Sequence, residues 1–136
     1  MDFMKSIAIA ASGLRAQAGR MRIISENIAN ADSTAPRPGA EPYRRKVPTF
    51  HSEVERSLDA RVITLGKVQP DQSEFRLKYE PGHPAADAQG NVKYPNVNAL
   101  VEMTDMREAQ RSYEANINVI GATRRMLQRT IDILKA

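Results

Sequence analysis

Residues 97–136 read VNALVEMTDMREAQRSYEANINVIGATRRMLQRTIDILKA. Met106, Tyr113, Ile120, Leu127 and Leu134 recur at heptad spacing. Three residues before each stand Met103, Gln110, Ile117, Arg124 and Ile131. The two columns form an a/d seam over about five heptads, with Gln110 and Arg124 as polar breaks. Such a helix reaches ~60 Å at 1.5 Å per residue. A compact chain of this size has a radius of gyration of only ~14 Å. The helix therefore outruns any compact body the chain can build, and its seam needs a partner.

The first thirty residues supply a matching stripe. Ile7, Leu14, Met21 and Ile28 share one column; Phe3, Ala10, Gln17, Ile24 and Ala31 fill the other. A strict seven-residue repeat favours a left-handed supercoil of paired helices. The pairing can lie within one chain, between chains, or both. The C-terminal seam outruns the N-terminal one by more than a heptad. The expected fold is mainly α: long N- and C-terminal helices paired as a coiled-coil-like hairpin, with a small antiparallel β insert between them.

Composition narrows the classes. Trp and Cys are absent and aromatics make up 5% of the chain, so a large globular core is not expected. Without Cys there is neither disulfide nor thiolate chemistry, which suits any compartment. The net charge of +4 is modest, and its bases are scattered apart from Arg44-Arg45-Lys46 and Arg124-Arg125 with Arg129. No stretch approaches the length of a membrane span. The early apolar run Ile7–Ala11 is short and is broken by Ser12, Gly13 and Arg15, which does not read as a cleavable signal.

The first helix is expected over residues 3–31, with Asp2 as N-cap. Gly13 and Gly19 each weaken it by roughly 1 kcal/mol, yet leave places where another helix can come close. Pro36, Pro38, Gly39, Pro42 and Pro48 forbid regular structure in the next segment. Segments 43–50, 61–68 and 75–79 read as short strands, with residues 54–58 as a helical turn between two of them. Residues 80–84 and 87–91 read as turns. Asn96 or Asn98 caps the last helix. Its acidic residues, Glu102 among them, lie early and its basic residues late, which complements the helix dipole; most read as solvated. The chain divides into segments 1–32, 33–95 and 96–136.

Catalytic signals are weak. His51 and His83 lie far apart, and His83 with Glu80 and Asp87 makes a poor metal set beside its prolines. No phosphate-cradling glycine loop or nucleophile elbow is present. The expectation is no enzyme, no cofactor and no small-molecule substrate. Arg44, Arg45 and Lys46 read as a solvated loop or as contacts to a neighbouring subunit. Asn is a poor residue inside a helix. Asn27, Asn30 and Asn116 beside the seams therefore suggest amides bonding across helix contacts, with a C-cap as the alternative for Asn30. A basic coiled-coil protein that binds nucleic acid is the competing class; its affinity would fall steeply with salt.

Several phrases resemble the flagellar axial proteins: ISENIANA at residues 24–31, PYRRK at 42–46, YEPGHP at 79–84, YPNVN at 94–98, EMTDM at 102–106 and YEAN at 113–116. Within that group the sequence is most similar to the proximal rod type of the basal body. The Pro-rich loop before Tyr43 fits that type and departs from distal rod and hook proteins. The resemblance implies a structural subunit whose terminal helices stack into a hollow axial tube. The implied partners are copies of itself, other rod proteins and the flagellar type III export apparatus, with no nucleic acid. The implied location is a rod crossing the periplasm, reached without signal cleavage and without a membrane span. Expected subunit-interface residues are Ile7, Leu14, Met21, Ile24, Ile28, Met106, Tyr113, Ile117, Ile120, Leu127, Ile131 and Leu134. Arg44, Arg45 and Lys46 are expected on the outer side.

Overall fold

The computed structural model describes residues 2–135. Two long helices, α1 (Phe3–Ala29) and α2 (Ala99–Lys135), flank an insert of six short strands. Asp2 caps α1: its carboxylate accepts from the N–H groups of Met4 (3.1 Å) and Lys5 (3.2 Å), satisfying donors the first turn cannot use. Asn98 caps α2 by accepting from Leu100 at 3.0 Å. Asn96, the other candidate, is occupied elsewhere: it accepts from Arg45 N–H at 2.8 Å and donates to the Asp71 carbonyl at 3.0 Å. α1 stops two residues before the expected Ala31. The Asn30 amide donates to the Glu26 carbonyl at 2.9 Å, and the chain leaves the helix there.

The insert comprises β1 (Lys46–Val47), β2 (Phe50–Glu55), β3 (Ala60–Leu65), β4 (Gln69–Pro70), β5 (Arg76–Tyr79) and β6 (Asn91–Tyr94). They form three separate two-stranded ladders, β1 with β4, β2 with β3 and β5 with β6, all antiparallel. The helical turn expected over 54–58 is not there. β2 runs to Glu55, and a turn follows in which Asp59 takes φ 44°, a left-handed conformation Asp tolerates. Ser57 donates to the Glu55 carboxylate at 2.8 Å and holds that turn. β6 falls between the expected turn and the α2 lead-in; four residues with one buried apolar side chain, Val92, show no readable period.

The chain divides into two units. The first comprises α1 up to Met21, Thr49–Gly66 and α2 from Arg107 onward. Its helices run antiparallel, since Gly13 lies against Asn116 and Arg20 pairs with Glu108 at 3.6 Å. The last turns of α2 are exposed, Ile133 at 75% and Leu134 at 81%. Buried positions here are small: Ala10, Ser12, Ala16, Ala109 and Thr123. β3 lies along α1, where Ser12 Oγ accepts from the Ile63 N–H at 3.2 Å. A Cβ built on Gly13 would stand 2.9 Å from the Asn116 amide, and one on Gly19 2.7 Å from Leu65. Both glycines thus allow close approach, Gly13 by a helix as expected and Gly19 by a strand residue.

The second unit comprises α1 from Arg22 through Pro48, and Lys67 to Met106. Its buried apolar residues include Ile23, Ile24, Ala31, Ala35, Val92 and Val97. Burying each isoleucine contributes about 1.5–3 kcal/mol. Arg76 ties the β5–β6 ladder to the end of α1 by donating to the carbonyls of Ala31 (2.8 Å) and Pro95 (3.1 Å).

Candidate assembly interface

Asn27 is the centre of a buried polar cluster in the second unit. Its Oδ1 accepts from Tyr43 O–H (2.8 Å) and the Lys46 N–H (2.9 Å). Its Nδ2 donates to the Lys46 carbonyl (2.8 Å) and Glu102 Oε2 (3.1 Å). The amide therefore uses its full bonding capacity. Glu102, 1% exposed, also accepts from Arg45 Nε at 2.5 Å. Arg45 further contacts Asp71 at 3.3 Å and Asp105 at 3.8 Å. A buried carboxylate survives here because both oxygens are bonded and a guanidinium compensates its charge.

The cluster shifts its titrating groups. Burial first, then the charges of Glu26 and Glu102, push the Tyr43 phenol up to about 12. Burial lowers the Arg45 guanidinium, but its bond to Glu102, that carboxylate's charge and Asp71 together outweigh burial and raise it. Hydrogen bonds from Ser73, assisted by Arg45, hold the Asp71 carboxyl below its usual value against a smaller opposing effect of burial. These are the marks of a cluster that fastens the loop bearing Tyr43, Arg45 and Lys46 to both helices.

Of the three basic residues expected on the outer side, Arg45 is turned into this cluster. Arg44 stacks over the Phe75 ring, 4.3 Å from its centroid, and donates to the Asp71 carbonyl at 2.9 Å. Lys46 pairs with Glu26. Arg44 and Lys46 line an open cleft of about 940 Å³ with Arg22, Tyr43 and Val68. The three expected asparagines divide. Asn27 bonds across to α2. Asn30 bonds Glu26 and Ser33 on its own stretch. Asn116 donates to the Ser112 carbonyl at 2.9 Å while lying flat on Gly13.

The helix columns are sorted by exposure. Along α2, Met106, Tyr113, Ile120 and Leu127 are half-buried, as is Ile131. The second inward column is Glu102, Ala109, Asn116 and Thr123, one residue away from Met103, Gln110, Ile117 and Arg124. Ile117 stays 47% exposed and Leu134 81%. Leu100, Val101, Met103, Val119, Met126 and Ile133 are exposed too. On α1, Ile24 is buried, and Ile7, Leu14, Met21 and Ile28 are half-buried. Glu102, read from sequence as a solvated dipole partner, is instead a buried member of the cluster. Its signal was its place seventy-five residues from Asn27 on the facing column, visible only once the helices are aligned.

Among the described residues, no group of three or more His, Asp or Glu is placed to hold a metal. No helix there is long and apolar enough to cross a membrane.

Residues 7–35 match the family model described as flagella basal body rod protein, and residues 88–133 match the flagellar basal body rod FlgEFG protein C-terminal model. Two long helices that meet these models at both ends define a structural subunit of the basal-body rod, not an enzyme. The flagellar basal-body rod protein FlgC of Agrobacterium fabrum is 55% identical over 128 residues, covering 94% of this chain and 92% of that protein. The FlgC protein of Salmonella typhimurium is 37% identical over 98% of both chains. That of Bacillus subtilis is 37% identical over 99% of this chain and 100% of its own. The chain belongs to the FlgC family of flagellar basal-body rod proteins.

Proposed function

We propose that this subunit stacks through α1 and α2 with copies of itself and other rod proteins, forming a hollow shaft across the periplasm. In this reading the helices pair in coiled-coil fashion, segments 1–32 and 96–136 make the axial layer, and segment 33–95 lies outside it. The chain travels through the flagellar type III apparatus without losing a signal peptide. The observation that carries the proposal is the set of exposed apolar side chains along α2, Val101, Val119, Met126 and Ile133 on one face with Met103 and Ile117 on another. Apolar surface left open along so long a helix marks a place where a partner packs. Contacts that repeat between unlike surfaces build helical arrays. Ile7, Leu14, Met21 and Ile28, each half-exposed, offer the facing surface, and Arg44 and Lys46 at the cleft offer outer contacts.

The test is a chain carrying both Ile117→Asp and Leu134→Asp. Both sites are exposed, so the isolated protein keeps its helix content and melts within about 0.5 kcal/mol of the parent. Incorporation into basal bodies and swimming are lost. Normal swimming by that variant would overturn the proposal.

A further inference from the structure

β2 and β5 each have one strand neighbour and one open edge. The Gly66 N–H to Thr49 carbonyl bond sets the alternation of the β2–β3 ladder. Thr49, His51, Glu53 and Glu55 bond toward β3, so Phe50, Ser52 and Val54 turn their backbone groups outward. The Ser12 bond to the Ile63 N–H agrees, because Ile63 stands opposite Ser52. In the β5–β6 ladder the Glu80 N–H bonds the Gly90 carbonyl, which leaves Leu77 and Tyr79 facing outward. Val54 is 57% exposed, Leu77 65% and Tyr79 70%. Open edges carrying apolar side chains invite pairing.

We propose that the β2 edge of one copy pairs antiparallel with the β5 edge of a second copy, with Val54 opposite Leu77 and Ser52 opposite Tyr79. This rests on the stacking of copies proposed above and names one contact within it. The register is chosen by charge. It sets Glu53 against Lys78, Glu55 against Arg76 and His51 against Glu80, all at the non-bonded positions where facing side chains are closest. Sliding one way by two residues sets Glu53 against Glu80. Sliding the other way sets Glu55 against Glu74. Pairing β2 with itself offers its glutamates no Lys or Arg. Lys78 already pairs with Glu80 and keeps 65% of its side chain exposed, so it can be shared. Arg76 keeps 54% of its side chain exposed while it holds Ala31 and Pro95. An acidic edge meeting a basic edge is a contact between unlike surfaces, which repeats from copy to copy.

The chain contains no Cys, so engineered thiols report cleanly. Basal bodies are isolated from cells making both a Val54→Cys chain and a Leu77→Cys chain, then oxidised mildly. Facing residues of a bonded pair lie ~5.5 Å apart, within disulfide reach. Phe50→Cys with Leu77→Cys, four residues out of register, lies ~13 Å farther along the strand. The expected result is at least about tenfold more linked dimer for the in-register pair. Equal linkage of the two pairs, or none in rods that contain both chains, overturns the contact and leaves the rod assignment standing. A second measurement needs no thiol. Glu53→Lys lowers incorporation, and Glu53→Lys with Lys78→Glu in the same chain restores at least half of it. Failure of the double exchange to restore incorporation overturns the proposal as well.

Discussion

The side-chain amide of Asn27 engages both backbone groups of Lys46, accepting from its N–H at 2.9 Å and donating to its carbonyl at 2.8 Å. It copies a strand's hydrogen-bond pair from the flank of a helix. Only a short amide offers one acceptor and two donors at that reach. Asn27→Ala removes all four bonds and leaves the Tyr43 hydroxyl and Glu102 Oε2 short of a partner in a buried place. The expected loss is about 2–3 kcal/mol, read by urea unfolding. Asn27→Asp should lose at least as much, because it removes the donors and sets a second carboxylate beside Glu102. A loss under about 0.5 kcal/mol in either variant would mean that the cluster is not what holds the loop.

Gly13 and Asn116 form a second close approach, in the first unit. Gly13→Ala gains helix propensity of roughly 1 kcal/mol but places a methyl 2.9 Å from the Asn116 amide. The substitution should destabilise the parent chain and stabilise a chain that already carries Asn116→Ala. That reversal of sign is measurable by a double-mutant thermal unfolding cycle. The same sign in both backgrounds would show that the helices do not meet there.

Acid should loosen the second unit partly through Asp71. Its folded carboxyl titrates below the ordinary 3.8, held there chiefly by hydrogen bonds from Ser73 and then by Arg45. A depressed folded value gives stability that is present above the unfolded value and is lost as the pH falls through the folded one. The window therefore lies below 3.8. The parent should lose more stability than Asp71→Asn as the pH falls below 3.8. Equal losses would remove Asp71 from the account.

Alkali acts on Tyr43 with the opposite sign. Its folded value is raised from 10.0 to about 12, so its contribution is intact below 10.0 and is lost as the pH rises toward 12. Tyr43→Phe should flatten the fall in stability across that window. Spectrophotometric titration should show one phenol fewer ionising late. A phenolate that appears at the normal pH would place Tyr43 outside the cluster.

The long helices were legible because their apolar period is strong and sustained. Met106, Tyr113, Ile120 and Leu127 turn inward as their spacing requires. The companion column was displaced by one residue for a physical reason. Counting apolar side chains selects Met103 and Ile117, but the close approach to α1 selects what is small or fully bonded. Ala109 has no bulk, Thr123 bonds the Val119 carbonyl at 2.8 Å, Asn116 lies on Gly13 and Glu102 is neutralised by Arg45. A hydrophobicity pattern cannot weigh such compensation, because the partners sit on other elements. The insert was harder still. Two- and four-residue strands carry too little period, and proline marks where structure stops without saying what pairs.

α1 and α2 are of unequal length, twenty-seven residues against thirty-seven, and Ile133 and Leu134 near the end of the longer helix are bare. In the stacking proposed above, contact is head to tail, so a neighbour that shields this bare end brings an identical bare end of its own. Each addition then recreates the vacancy it filled, and growth keeps one polarity. The length of such a column must then be decided by how many copies are supplied, or by a different chain whose end presents nothing further to cover.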